Sequence, residues 1–246
     1  MNDQLSTAPA LLRGIRIFEL LSNRGELSLE AVASETGYPK SSILRVLDTL
    51  SALDLVVRDP GTRRYSATAL LIRRTAPDAS FDQRIARSLA DLAESTGNTA
   101  EWYVSVESGM ALVQRAQPAE GIVHVRAKIG FIRTWTGELE AVNALGRAFF
   151  NPSADCRGNS GYTSDGLFVK LSAKHVADRV RSASNERAIM DDAFNTNGVR
   201  RMAAVVFRSG QPTGIVSLAE HSRPGTDGCR QKWFDQLKDA ARALSQ

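Results

Sequence analysis

The residues best suited to chemistry stand close together, between positions 40 and 64. Lys40, Ser41, Ser42, Arg45 and Thr49 bring short hydroxyls and long cations, and Arg58, Arg63 and Arg64 follow. Hydroxyls and ammonium groups donate to phosphate oxygens, and an arginine fork spans the two acceptors of a guanine edge, so the set suits nucleic acid. Other chemistries lack their residues. His124, His175 and His221 are scattered, and Cys156 and Cys229 have no short spacing, so neither a metal site nor a disulfide framework is expected. No Gly-x-Ser-x-Gly elbow or paired-histidine motif is present, which leaves a hydrolytic enzyme as the weakest reading. The glycine-rich run Asp155–Gly166 is not followed by Lys-Ser or Lys-Thr, so it reads as a mobile surface loop and not as a phosphate cradle. No cofactor is expected.

Three helices must position the polar set. A first, about Ala10–Ser22, places Leu11, Ile15, Phe18 and Leu21 on one side. Ser28 caps a second, Leu29–Thr36, which Gly37 ends by supplying a left-handed turn. Pro39 is tolerated at the start of the third, Pro39–Leu53, where its missing N–H costs nothing. On that helix Ile43, Val46, Leu47, Leu50 and Leu53 gather on one side, and Ser41, Ser42, Arg45, Asp48 and Thr49 on the other. A solvated face of an ordinary amphipathic helix would look the same. The glycine turn, however, makes the pair a helix-turn-helix, and two β-prone pieces flanking Asp59-Pro-Gly-Thr62 make a hairpin wing after it. Residues 37–74 hold seven basic and three acidic side chains, a difference of +4 that equals the net charge of the whole chain. The basic excess is concentrated where a duplex would lie.

The chain of 246 residues, 24% charged and 43% hydrophobic, has the profile of a soluble protein. Its longest apolar runs fall far short of a membrane span, and Met1–Pro9 shows no secretory signal, so a cytoplasmic location is expected and no membrane partner. A polar break at Thr75–Ser80 divides it into residues 1–75, a connecting helix within 76–97, and residues 98–246. Ser80-Phe-Asp-Gln83 reads as a capping box opening a helix over Ser80–Ser95, with Phe81, Ile85, Leu89 and Leu92 on one stripe and Gly97 at its end. The third part reads as α+β. Its strands are Ala100–Val106, Met110–Gln114, Ile122–Ile129, Val199–Phe207 and Thr213–Ala219, and its helices Val142–Phe150, Ser172–Ser182 and Asp227–Leu244.

Tyr38-Pro-Lys-Ser-Ser-Ile-Leu-Arg-Val-Leu-Asp-Thr-Leu50, followed by Arg58-Asp-Pro-Gly-Thr-Arg-Arg-Tyr65, resembles the IclR family of bacterial transcription regulators. Ala144-Leu-Gly-Arg-Ala148, Asp191-Asp-Ala-Phe194 and Gly198-Val-Arg-Arg-Met-Ala-Ala204 agree with that family's second domain. The resemblance implies an N-terminal winged helix-turn-helix domain and a C-terminal, GAF-like antiparallel-sheet domain that binds an effector. It further implies a homodimer or tetramer acting on double-stranded DNA at a roughly palindromic operator. A constitutive repressor whose second domain only oligomerises is the alternative.

The same resemblance places an effector cup at Asp191, Arg201 and Ser217, with Ala144 beside them. The chain departs from the family at Arg201, where a cysteine is common, and at Ala219, where a second serine is common. An arginine on an otherwise apolar strand face needs an anionic partner. That partner is either the carboxylate or acyl oxygen of an effector or a structural carboxylate such as Asp191 or Glu220; otherwise the guanidinium reaches out to water. Phe131 and Trp135, in the segment Gly130–Gly137, would suit the rim of a cup for a flat ligand, or else fill the core or a subunit contact.

Overall fold

The computed structural model describes residues 8–68, 78–120, 125, 127–155, 157–163, 166–223 and 227–246, and divides into two compact units at Thr75/Ala76. Among the described residues, no helix is long and apolar enough to cross a membrane.

In the first unit, α1 (Pro9–Arg24), α2 (Leu29–Thr36) and α3 (Lys40–Ala52) precede a hairpin of β1 (Val56–Arg58) and β2 (Tyr65–Ala67). The Ser28 hydroxyl accepts from Ala31 N–H at the start of α2, satisfying an orphan donor of the first turn. Gly37 ends the helix at φ 70°, a conformation that costs other residues a Cβ clash. Arg16 donates to the Tyr38 hydroxyl across 2.8 Å and ties α1 to the turn. The core holds Ile17, Phe18, Leu21, Val32, Ile43, Leu47, Val56 and Tyr65. The expected apolar stripes are only half buried. Leu11, Ile15 and Leu53 remain exposed, at 64%, 39% and 63%, because three short helices cover just the C-terminal half of α1.

The second unit is built on a six-stranded antiparallel sheet in the order β5-β4-β3-β10-β9-β8. Its strands are β3 (Thr99–Val106), β4 (Gly109–Ala116), β5 (Ile132–Thr134), β8 (Ala188–Met190), β9 (Val199–Arg208) and β10 (Gln211–His221). β9 and β10 turn on Ser209 and Gly210, both at positive φ, the twist that a two-residue hairpin loop requires. One face packs on α4 (Ala79–Thr96) and α7 (Arg230–Leu244) through Phe81, Leu89, Trp102, Leu218, Trp233 and Leu237. On this face a Cβ at Gly214 would fall 2.3 Å from the Trp102 ring, so only glycine lets that tryptophan lie flat on β10. The other face packs on α5 (Ala141–Phe149) and α6 (Ala173–Glu186) through Tyr103, Leu112, Leu145, Val176, Ala203 and Ile215.

Several expectations need correction. The cap of α4 is Asp78, which accepts from Phe81 N–H; Ser80 lies inside the helix and donates its hydroxyl to Asp78 at 2.6 Å. Those bonds hold the Asp78 carboxyl down at about 2. The glycine-rich run expected as a mobile loop contains β6 (Ser160–Tyr162), paired antiparallel with β7 (Phe168–Lys170). Half of the expected strand Ile122–Ile129 lies outside the described residues, and 125 and 127–129 form coil and turn. Residues 227–229 form a single 3-10 turn before α7.

Candidate nucleic-acid interface and effector recess

In the first unit the outward side of α3 carries the polar set. Lys40, Ser41, Arg45 and Thr49 are exposed and Ser42 is half-buried. No side chain caps the N-terminus of α3, which leaves its first-turn N–H groups without a side-chain acceptor, the arrangement that suits a phosphate. Lys40 pairs with Glu30 at 3.2 Å, but both ends are exposed and such a bridge is weak. Ser42, Arg45 and Thr49 line one wall of a groove of about 850 Å³ beside Leu11 and Ile15 of α1.

The wing is fixed by its own turn. Asp59 accepts from the Thr62 N–H at 2.6 Å and from its hydroxyl at 2.9 Å, which keeps the Asp59 carboxyl below the usual carboxylate range. Arg63 sits at φ 55° next in the chain, so the turn and not the arginine's own preference sets where that cation points. Arg58, Arg63 and Arg64 are exposed, with the Arg58 guanidinium 5.4 Å from the centre of the Tyr65 ring.

In the second unit, Arg201 is buried in a closed ring of charges. Its Nε donates to Glu101 Oε2 at 3.0 Å and its Nη1 to Glu140 Oε2 at 3.0 Å. Glu140 also pairs with Arg133, Arg133 Nε donates to the Tyr103 hydroxyl at 3.0 Å, and that hydroxyl donates to Glu101 at 2.9 Å. Burial pushes the Glu101 carboxyl up, but Arg201 and Arg133 outweigh it and hold it below its ordinary value. Burial, reinforced by Glu101, pushes the Tyr103 phenol far up. Two guanidiniums face two carboxylates, so the ring is neutral. The structural partners are Glu101 and Glu140. Asp191 takes only the backbone N–H of Arg201, and Glu220 pairs instead with Arg200.

Two recesses border this ring. The larger, about 620 Å³, is lined by Phe131, Arg133, Glu138, Asn195, Arg201 and Ser222, among others. The smaller, about 200 Å³, includes Glu138, Tyr162, His175, Arg179, Asp191 and Asp192. Glu138 borders both. The expected effector residues therefore separate: Arg201 and Phe131 reach the larger recess, Asp191 the smaller. Ser217 is wholly buried on β10 between Glu101 and Ala203, and its hydroxyl has no hydrogen-bond partner among the described residues. Ala144 is buried in α5. Trp135, 9% exposed, packs against Gly146 and donates to Glu107 O at 2.8 Å, so its ring fills the core and not a rim. Arg147, also unforeseen, is buried and donates to Trp135 O at 3.0 Å and Ala154 O at 2.8 Å, tying α5 to its neighbouring loops.

Burial, with the charge of Glu140, pushes the Glu138 carboxyl up to about 7 against an ordinary 4.5. Burial likewise raises Asp191 to about 6, although Arg179 at 2.7 Å opposes it. A carboxyl with a raised folded-state pKa keeps a proton that the unfolded chain gives up. Stability is therefore lost as pH rises from about 4.5 to 7, and the full penalty applies above that. Glu138→Gln is expected to stabilise the second unit at pH 8 by about 1–2 kcal/mol, after allowance for solvent screening, and to be nearly neutral at pH 4. Urea unfolding at the two pH values measures the difference.

The family model described as the IclR helix-turn-helix domain matches residues 10–60. No curated protein matches the chain in sequence. Among solved structures, an IclR transcriptional regulator from Alicyclobacillus acidocaldarius aligns over 98% of both chains at 19% identity, with a TM-score of 0.63. HmgR from Pseudomonas aeruginosa aligns over 97% of both at 19% identity, with a TM-score of 0.53. An IclR homologue from Microbacterium hydrocarbonoxydans, complexed with 4-hydroxybenzoate, covers 96% of this chain and 97% of its own at 11% identity, with a TM-score of 0.60. Residues 10–60 are thus similar to the IclR helix-turn-helix domain, and the chain shares along its length the fold of these solved structures, a helix-turn-helix unit followed by a curled antiparallel-sheet domain.

Proposed function

We propose that this chain is an IclR-type transcription regulator, that it binds an operator through α3 and the wing, and that a small organic effector bound in the second unit controls it. The observation that carries the DNA reading is the exposed set Lys40, Arg45, Arg58, Arg63 and Arg64, borne on the outward side of α3 and on a turn-locked wing of a matched helix-turn-helix domain. In this reading residues 1–75 bind DNA, α4 within 76–97 transmits the signal, and residues 98–246 bind the effector and oligomerise. In a dimer on a roughly palindromic site, the two α3 helices would engage half-sites about 34 Å apart or a multiple of it. A change in that spacing on effector binding requires a coupling of only about 1–3 kcal/mol.

The larger recess supports the effector reading, since about 620 Å³ lies within the range of small-molecule pockets. The relative crystallised with 4-hydroxybenzoate adds support for a flat aromatic or acyl body, and the regulated genes would belong to catabolism or metabolism of such compounds. A carboxylate gripped by Arg201, however, would have to displace Glu101 or Glu140 from a neutral buried ring.

The experiment is retention of promoter fragments at graded salt. Arg45→Ala is expected to lose about 1–3 kcal/mol on the operator and to relax base choice, with little loss on random DNA. Arg63→Ala is expected to weaken all duplexes alike and to lower the salt slope by about 1. Equal losses for Arg45→Ala on operator and random DNA would reject its base-reading role. Salt-insensitive or absent retention by the intact protein would reject the DNA reading.

A further inference from the structure

The charges around the two recesses do not cancel. Among the described residues, Arg201 is matched by Glu101 and Glu140, Arg133 by Glu140, and Arg179 by Asp191. Glu138 and the exposed Asp192 stand in none of these pairs. The other ionisable side chains among the described residues facing the recesses are Tyr162 and His175 in the smaller and His221 in the larger. Among the described residues the surplus is therefore carboxylate, and it falls at Glu138, which lines both recesses together with the uncharged Asn195 and Val199. A ligand carboxylate entering here would meet Glu138 and find each guanidinium already engaged, and like charges brought together in a partly buried site repel strongly. A ligand N–H would instead complete a charge-assisted hydrogen bond that the protein lacks. Phe131, half exposed on the wall of the larger recess beneath the Arg133 guanidinium, offers an apolar surface for the rest of the molecule.

We propose that the effector is read at Glu138 and presents a nitrogen-borne hydrogen-bond donor there, as a protonated amine or primary amide on a small organic body, in place of a carboxylate held by Arg201. This rests on the reading of the second unit as an effector domain. Arg201 then serves the fold, and Glu138 selects the ligand.

The test is calorimetric titration of the full chain at pH 8, where Glu138 is ionised, with three probes on one ring: 4-hydroxybenzoate, 4-hydroxybenzamide and 4-hydroxybenzylamine. The amine is expected to bind at least about tenfold tighter than the benzoate, with the amide between them. Glu138→Gln, checked for folding by its melt, is expected to weaken the amine about tenfold while holding the amide within about threefold. The proposal is overturned if the benzoate binds as tightly as the amine, if Glu138→Gln leaves amine affinity unchanged, or if neither donor-bearing probe binds at about 5 mM. Promoter retention scored on the same preparations separates the two readings. Benzoate preference with intact DNA retention rejects the donor assignment alone, whereas loss of retention rejects the regulator itself.

Discussion

Arg201→Leu is expected to lower the melting temperature of the second unit by about 10 °C at pH 7. The guanidinium bridges Glu101 and Glu140, which are 0% and 4% exposed. With it removed, Glu140 keeps Arg133, but Glu101 retains only the Tyr103 hydroxyl as a hydrogen-bond partner and the charge of Arg133, which makes no hydrogen bond to it. Breaking a buried pair by deleting one partner costs about 3–5 kcal/mol, because the stranded charge keeps its desolvation penalty and loses its compensation. In a unit of this size each kcal/mol is worth about 2–4 °C. The pH dependence identifies the cause. In the intact protein Glu101 sits below its ordinary pKa, so its contribution is present above about 4.5 and is lost as pH falls through the lower folded value. In Arg201→Leu, burial acts on Glu101 with that opposing charge gone, so the carboxyl protonates readily and the deficit should shrink on acidification. A variant as stable as wild type at pH 7 would show that the arginine is not locked in the ring, and would return it to the list of ligand-binding groups.

That ring also marks where reading along the chain runs out. A charged residue on an apolar strand face demands an opposite charge, and this much follows from Arg201 standing beside Ala203 and Val205. Which carboxylate answers it does not follow, because Glu101 and Glu140 lie 100 and 61 residues away and meet Arg201 only after β3, β10 and β9 have paired. Glu101 gave a signal of its own, a lone acid between Ala100 and Trp102, that could have nominated it. The first unit was easier to read because its determinants are local: Ser28, Gly37 and Asp59 each act within three or four residues, and the structure has each in its expected place. Three-residue strands such as β5, β6, β7 and β8 are too short to show an alternation and were missed. Trp135 and Ala144 illustrate a further limit. An aromatic or small residue near a cup has the same sequence signature whether it lines the cavity or packs behind it, and here both are buried. Glu138 escaped notice for the opposite reason: an isolated glutamate in a polar loop carries no pattern, and its significance comes only from the carboxylates and guanidiniums that the fold assembles around it.

Leu47→Ala is expected to abolish salt-sensitive DNA retention while leaving the second unit folded. Leu47 is fully buried at the centre of the first unit's small core, among Ile17, Leu21, Val32 and Ile43. Truncating a buried leucine removes its transfer free energy and leaves a cavity, together about 2–5 kcal/mol. A domain of this length holds only about 4–10 kcal/mol in all, so the loss takes most of its margin. The second unit has two core clusters of its own. Thermal unfolding should therefore resolve into an early transition, shifted down by the substitution, and a later one left in place. Titration of the second unit with a bound probe should give unchanged affinity in the same sample. Arg45→Ala supplies the control, because it removes an exposed side chain, should leave both transitions where they were, and should still weaken operator binding. If Leu47→Ala lowers both transitions together, the two units share one cooperative fold; if it leaves DNA retention intact, the packing of α3 on this core is not what positions Arg45 and its neighbours for the duplex.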